Sequence, residues 1–343
     1  MFFQRPLRAK GEHSDNEEQK DFILFSKLNS LELFVTSKDP RILHIYKKER
    51  TKNERTEICN LKFMTSVLAV EVNMERMIVC IEHAVFICNL QKFELIHTIH
   101  GTEQNLAGVV DLSQNTGTAM IAYPENSEYG IVGIYNAISY TAMPSIVAHN
   151  TKLACVKFNS QASLLATAST KGTVIRVFSV NSGHKLFEFR RGMARYADIT
   201  SLSFSADSKL LCSSSNTETI HVYKLENEKP STIRGSWYEA LSVLTTSVVE
   251  NVSPNLVGSL MAGRSFTQGR IPAPSENTKC AIISHDNQYY VLVATDKGHL
   301  YNFRMENEEE NLCLIRQHRI GPRLESYLAS VRPKTERKKR HAE

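Results

Sequence analysis

Short β-forming runs recur from residue 22 onwards at a spacing of roughly 40 residues, and this recurrence narrows the possible folds more than anything else in the chain. Phe22-Ile23-Leu24-Phe25, Leu31-Glu32-Leu33-Phe34-Val35-Thr36 and Ile42-Leu43-His44-Ile45-Tyr46 are set apart by turn residues such as Lys38-Asp39-Pro40. The same order returns at 67–72, 77–81, 85–90 and 94–99, then within 107–148, 152–189, 199–225 and 280–303. Six units result, starting near residues 22, 62, 106, 152, 199 and 279. A lone four-stranded unit leaves both faces uncovered, so such units stack on one another. The expected fold is all-β: a WD-repeat-like β-propeller with six recognisable blades. The best-formed unit, 152–189, has the strand and turn order of a WD repeat without the Trp-Asp dipeptide, and the single tryptophan, Trp237, lies elsewhere.

The boundaries follow from composition. Residues 1–20 are charged and nearly devoid of apolar side chains after Leu7, which reads as a disordered tail. The propeller is expected over 21–320, interrupted near its second-last unit by a long insertion at 226–275. A basic tail, 321–343, ends in Arg337-Lys338-Lys339-Arg340; solvated tail, attraction to an anionic membrane and a nuclear address all fit that run. The net charge of +5 on 343 residues is too mild to call for nucleic acid. No run approaches the roughly 18 apolar residues of a spanning helix, and the N-terminus has no apolar core of a signal peptide. The seven cysteines form no CxxC pair, so reduced, mostly buried thiols in the cytoplasm are expected and a zinc site is not.

The strongest candidate for chemistry is Phe187-Glu188-Phe189-Arg190-Arg191-Gly192. Phe187 and Phe189 share one face of an extended strand, and the neighbouring arginines point to opposite faces. Guanidinium groups bind phosphate through charge-assisted hydrogen bonds, and Gly192 leaves the backbone open to a close ligand. The pair therefore reads as two anion pockets flanking one strand end, with ordinary surface arginines as the plainer alternative. Hydroxyls sit on either side of it. Thr167 and Ser169 share a strand face, followed by the turn residues Gly172 and Thr173 and then Arg176. Downstream, Ser213 and Ser215 share a face, as do Thr219 and His221. Each hydroxyl alone is better read as strand-edge bonding; the set around an arginine pair reads as a site.

Residues 185–192 resemble the FRRG motif of the PROPPIN family, β-propellers that bind phosphoinositides. Ala166 to Phe178 and Ser213 to Leu225 are similar to the same family, nearest its WIPI-like autophagy subgroup. The similarity runs in order from about residue 30 to about residue 320. It implies a non-enzymatic protein, without cofactor or metal, that binds phosphatidylinositol 3-phosphate and phosphatidylinositol 3,5-bisphosphate at two rim sites. Such a protein meets autophagy proteins at a membrane surface, being cytoplasmic and peripherally recruited to preautophagosomal and endosomal membranes. Carried over residue by residue, the first site takes Thr167, Ser169, Gly172, Thr173, Arg176 and Arg190, and the second takes Arg191, Gly192, Ser215, Thr219 and His221. His149 also falls at a position the family favours. In the insertion, Ser253-Pro254 reads as a helix start; Leu256, Val257, Leu260 and Met261 then form an apolar side near Arg264 and Arg270, suited to shallow membrane insertion or to folding back on the propeller. The family has seven blades; here the first is expected to be missing, replaced by the charged residues 1–20. A WD-type scaffold without lipid binding accounts for the blades but not for the hydroxyls around the arginine pair. A propeller enzyme lacks the acidic or metal-ligand cluster it needs.

Overall fold

The computed structural model describes residues 3–4, 22–28, 30–48, 55–115, 117–191, 197–226, 263–306 and 311–320. These residues form six antiparallel sheets, each built from strands consecutive in sequence. The first sheet holds Phe3–Gln4, Phe22–Leu28, Leu31–Thr36, Ile42–Lys48 and Arg55–Lys62; the second runs from Ala69–Val72 to Leu95–His100 and the third from Asp111–Leu112 to Thr141–His149. The fourth holds Leu153–Phe158, Leu164–Ser169, Val174–Ser179 and Lys185–Arg190. The fifth holds Ile199–Phe204, Leu210–Ser215, Thr219–Lys224 and Thr267–Arg270, and the sixth runs from Thr278–His285 to Cys313–Arg319. Turn chemistry sets the hairpins. Asp286 and Asn287, both at positive φ, make the two-residue loop whose backbone twist matches its flanking strands.

Alternation along each strand sends one set of side chains to the preceding sheet and the other to the following one. The apolar core is accordingly divided into five clusters, one at each seam between consecutive sheets. At the seam of the third and fourth sheets, Ile134, Ile146 and Ala148 meet Val156, Leu165 and Phe178. At the next seam, Ala166, Ala168, Ile175, Val177 and Phe189 meet Ile199, Leu202, Leu211 and Tyr223. Among the described residues no such cluster joins the sixth sheet to the first. Near the inner strands, buried Asp111 accepts hydrogen bonds from the Lys157 ammonium and, at 2.7 Å, from the Phe158 amide, which ties the third sheet to the fourth.

The six units expected from the sequence are the six sheets. Two placements differ from expectation. Phe3–Gln4, inside the expected tail, pairs with Leu24 and Phe25 as a fifth strand. Thr267–Arg270, inside the expected insertion, is the outer strand of the fifth sheet, with Thr219 opposite Arg270 and Val222 opposite Thr267. The insertion thus interrupts a sheet rather than following it.

Candidate functional site

The strand Lys185–Arg190 is the outer strand of the fourth sheet, with Arg176 opposite Glu188 and Val174 opposite Arg190. Phe187 and Phe189 face the fifth sheet; Phe189 is buried there and stacks on Tyr223, with ring centroids 4.7 Å apart. Glu188 and Arg190 occupy the opposite face, toward the third sheet. A bulge at Leu186 shifts the alternation by one, and this brings Lys185 onto the Glu188 face as well. The strand's outer edge is also engaged. Gly263 donates its amide to the Glu188 carbonyl at 3.0 Å and accepts the Arg190 amide at 2.9 Å, so the chain returning from the insertion is tied to the arginine strand.

The two guanidinium groups diverge. Arg191 leaves the strand end with its amide bonded to the Thr173 carbonyl at 3.1 Å. Its side chain crosses to the fifth sheet, where Nη2 donates to Ser215 Oγ at 2.7 Å and to Thr217 Oγ1. Ser213, Ser215 and His221 all lie on that face of the fifth sheet and are buried. Arg190 shares the other face with Glu188, and its Nε is buried with no hydrogen-bond partner; Arg191 Nε is in the same condition. Among the described residues neither arginine is paired with a carboxylate. Burial pulls the Arg191 guanidinium below its ordinary pKa.

On the third-sheet side, Thr167 and Ser169 are both buried and share the Leu165 face, as their spacing predicts. Thr167 Oγ1 meets His149 Nε2 at 2.9 Å. Arg176 is held closely: Nε donates to Glu188 Oε2 at 2.9 Å, and Nη1 donates to the Ala148 carbonyl at 2.6 Å and lies 3.5 Å from His149 Nδ1. Gly172 sits at φ +64°, and a Cβ there would come within 1.6 Å of the Ala197 carbonyl oxygen. Its need for glycine therefore comes from close packing against the chain that links the fourth and fifth sheets. Burial, reinforced by a nearby guanidinium, lowers the pKa of both imidazoles to about 4: Arg176 acts on His149 and Arg191 on His221. Each seam therefore has a neutral histidine beside hydroxyls and an arginine.

The structure brings together Thr167, Arg176 and Glu188 with His149 at one seam, and Arg191, Ser215 and His221 at the next. Ser169 and Arg190 face the first of these, and Thr219 faces the second. Gly192 lies outside the described residues, as do Leu256, Val257, Leu260 and Met261. Sequence reasoning missed Thr217, although its spacing of two from Ser215 and Thr219 was the available signal. It also left Glu188 without a role, and nothing in the sequence pointed to Gly263. Among the described residues no group of three or more His, Cys, Asp or Glu is placed to hold a metal ion.

Comparison with known proteins agrees with this architecture. The chain is 44% identical over 334 residues to autophagy-related protein 18 of Caenorhabditis elegans, covering 94% of this chain and 80% of that protein. It is 36% identical to WD repeat domain phosphoinositide-interacting protein 1 of Homo sapiens, covering 90% of this chain and 69% of the relative. Among solved structures, a complex of KlAtg21 with the coiled coil of AgAtg16 matches with a TM-score of 0.67 at 21% identity, over 91% of this chain and 89% of that one. Kluyveromyces lactis Hsv2 matches with a TM-score of 0.65 at 19% identity, over 89% of each chain. The PROPPIN family model matches residues 10–320, nearly the whole of the described propeller, and the chain belongs to the PROPPIN family.

Proposed function

We propose that this protein is a non-enzymatic phosphoinositide effector acting in autophagosome formation. It binds phosphatidylinositol 3-phosphate and phosphatidylinositol 3,5-bisphosphate through two rim pockets, one on each side of the strand ending at Arg190-Arg191. The observation that carries this reading is the divergence of two adjacent arginines, neither paired with a carboxylate among the described residues, toward different hydroxyl-bearing seams. An uncompensated guanidinium beside neutral hydroxyls is poised for a phosphate, which supplies the missing charge and accepts several hydrogen bonds at once. Two modest pockets on one rim bind a membrane cooperatively, because the first head group raises the effective concentration of the second. The relatives named as phosphoinositide-interacting and autophagy-related proteins support the same reading. Recruitment is then peripheral, from the cytoplasm to preautophagosomal and endosomal membranes, with the other faces of the propeller open to autophagy proteins. Leu256, Val257, Leu260 and Met261 of the insertion add a shallow apolar contact with the bilayer.

The test is sedimentation with vesicles carrying phosphatidylinositol 3-phosphate. The double variant Arg190→Thr with Arg191→Thr is expected to stay in the supernatant, and each single variant to bind in part. A double variant that sediments like the native chain overturns the proposal.

A further inference from the structure

The two pockets differ in charge. In the second, the Arg191 guanidinium donates to the hydroxyls of Ser215 and Thr217 and to no carboxylate among the described residues. In the first, Glu188 bonds Arg176 at 2.9 Å and Lys185 at 2.7 Å with the same carboxylate oxygen, while Arg190, two residues further along the same strand face, is paired with no carboxylate among the described residues. Burial pushes the Glu188 carboxyl up, and its bonds to Lys185 and Arg176 more than offset this, so it titrates below the ordinary range and is ionised at neutral pH.

We propose that Glu188 is a specificity-determining residue of the first pocket. Its carboxylate occupies Arg176 and Lys185, leaves Arg190 available, and so biases the pocket toward a head group with one ring phosphate relative to one with two. This rests on the two-pocket reading above. Residues two apart on a strand lie roughly 7 Å from each other. At that range a fixed negative charge opposes each further charge on the ligand. The second ring phosphate of a bisphosphorylated head group meets this opposition, reduced by the two cations that the carboxylate bonds. A carboxylate that served only to anchor Arg176 would weaken or strengthen both ligands together.

The experiment uses the full chain with Arg191→Thr, which removes the second pocket's cation. Inositol 1,3-bisphosphate and inositol 1,3,5-trisphosphate, the soluble counterparts of the two lipid head groups, are titrated by calorimetry. Glu188→Gln keeps an acceptor for Arg176 and removes the charge; it is expected to shift the affinity ratio toward the trisphosphate by about fivefold. Glu188→Asp keeps the charge and shortens the reach, and it is expected to leave the ratio unchanged even where both affinities fall. An unchanged ratio in Glu188→Gln, or an equal shift in both variants, overturns the proposal alone. Failure of the Arg191→Thr chain to bind either probe overturns the two-pocket reading, and this inference with it.

Discussion

His149 and His221 make folding of this protein a proton-linked process. Both are buried and neutral, with the pKa lowered from 6.5 to about 4 first by burial and then by a neighbouring guanidinium. In the unfolded chain each imidazole takes up a proton once the pH falls below about 6.5, whereas in the folded chain it does so only near 4. The unfolded state therefore binds more protons through this window, and stability falls as the pH falls. From the two pKa values, each histidine removes about 2 kcal/mol between pH 7 and pH 5, or about 4 kcal/mol together. Against a typical folding stability of about 5–15 kcal/mol that is a large share. Urea unfolding at pH 7, 6 and 5 measures it directly. The native chain is expected to lose stability steeply over this range, and a His149→Gln, His221→Gln double variant to lose about 4 kcal/mol less. Equal pH slopes for the two proteins would refute the claim that these imidazoles are held neutral. The same arrangement bears on ligand binding. A phosphate placed beside either ring raises its pKa, so binding of inositol 1,3-bisphosphate near pH 5.5 is expected to take up protons, readable as a buffer-dependent heat.

Two further predictions concern the frame around the pockets. Gly172→Ala places a methyl group 1.6 Å from the Ala197 carbonyl oxygen at a positive φ; because backbone rather than a flexible side chain blocks it, a loss of about 3 kcal/mol or more in urea unfolding is expected. Lys157→Met leaves the buried Asp111 carboxylate without its cation and is expected to cost about 3 kcal/mol at pH 7. Burial already raises the Asp111 pKa, so that deficit, measured against the native chain at the same pH, is expected to shrink at pH 5 as the carboxylate protonates.

The sheets were legible in the sequence because period-two alternation and turn residues are local signals. The starts expected near 22, 152, 199 and 279 fall within a residue of strands beginning at Phe22, Leu153, Ile199 and Thr278. The outer strand Thr267–Arg270 was not legible: Thr-Gln-Gly-Arg has no apolar alternation, and only its pairing with Thr219–Lys224 makes it a strand. The bridge from Gly263 to the Glu188 and Arg190 backbone is of the same kind, a contact between segments more than 70 residues apart with no local trace. At the site, the splay of Arg190 and Arg191 followed from alternation alone. The partner of Arg176 did not. It depends on the register that sets Arg176 opposite Glu188 and on the third-sheet carbonyl of Ala148 within reach, both products of assembly.

The position of the pockets among the sheets bears on what the described propeller needs in order to work. Stability in a stack of repeated sheets resides largely in the seams between neighbours. The two arginines use the seam of the third and fourth sheets and the seam of the fourth and fifth, and completed apolar seams stand on both sides of this pair. Among the described residues, the side chains bonded around the proposed pockets come from three consecutive sheets, and none comes from the first or the sixth. Among the described residues, the first sheet therefore bears on the proposed pockets through the intervening seam of the second and third sheets. A core substitution at the seam of the first and second sheets, such as Leu43→Ala, is accordingly expected to lower stability by about 2–5 kcal/mol while leaving head-group affinity unchanged in the fraction that remains folded.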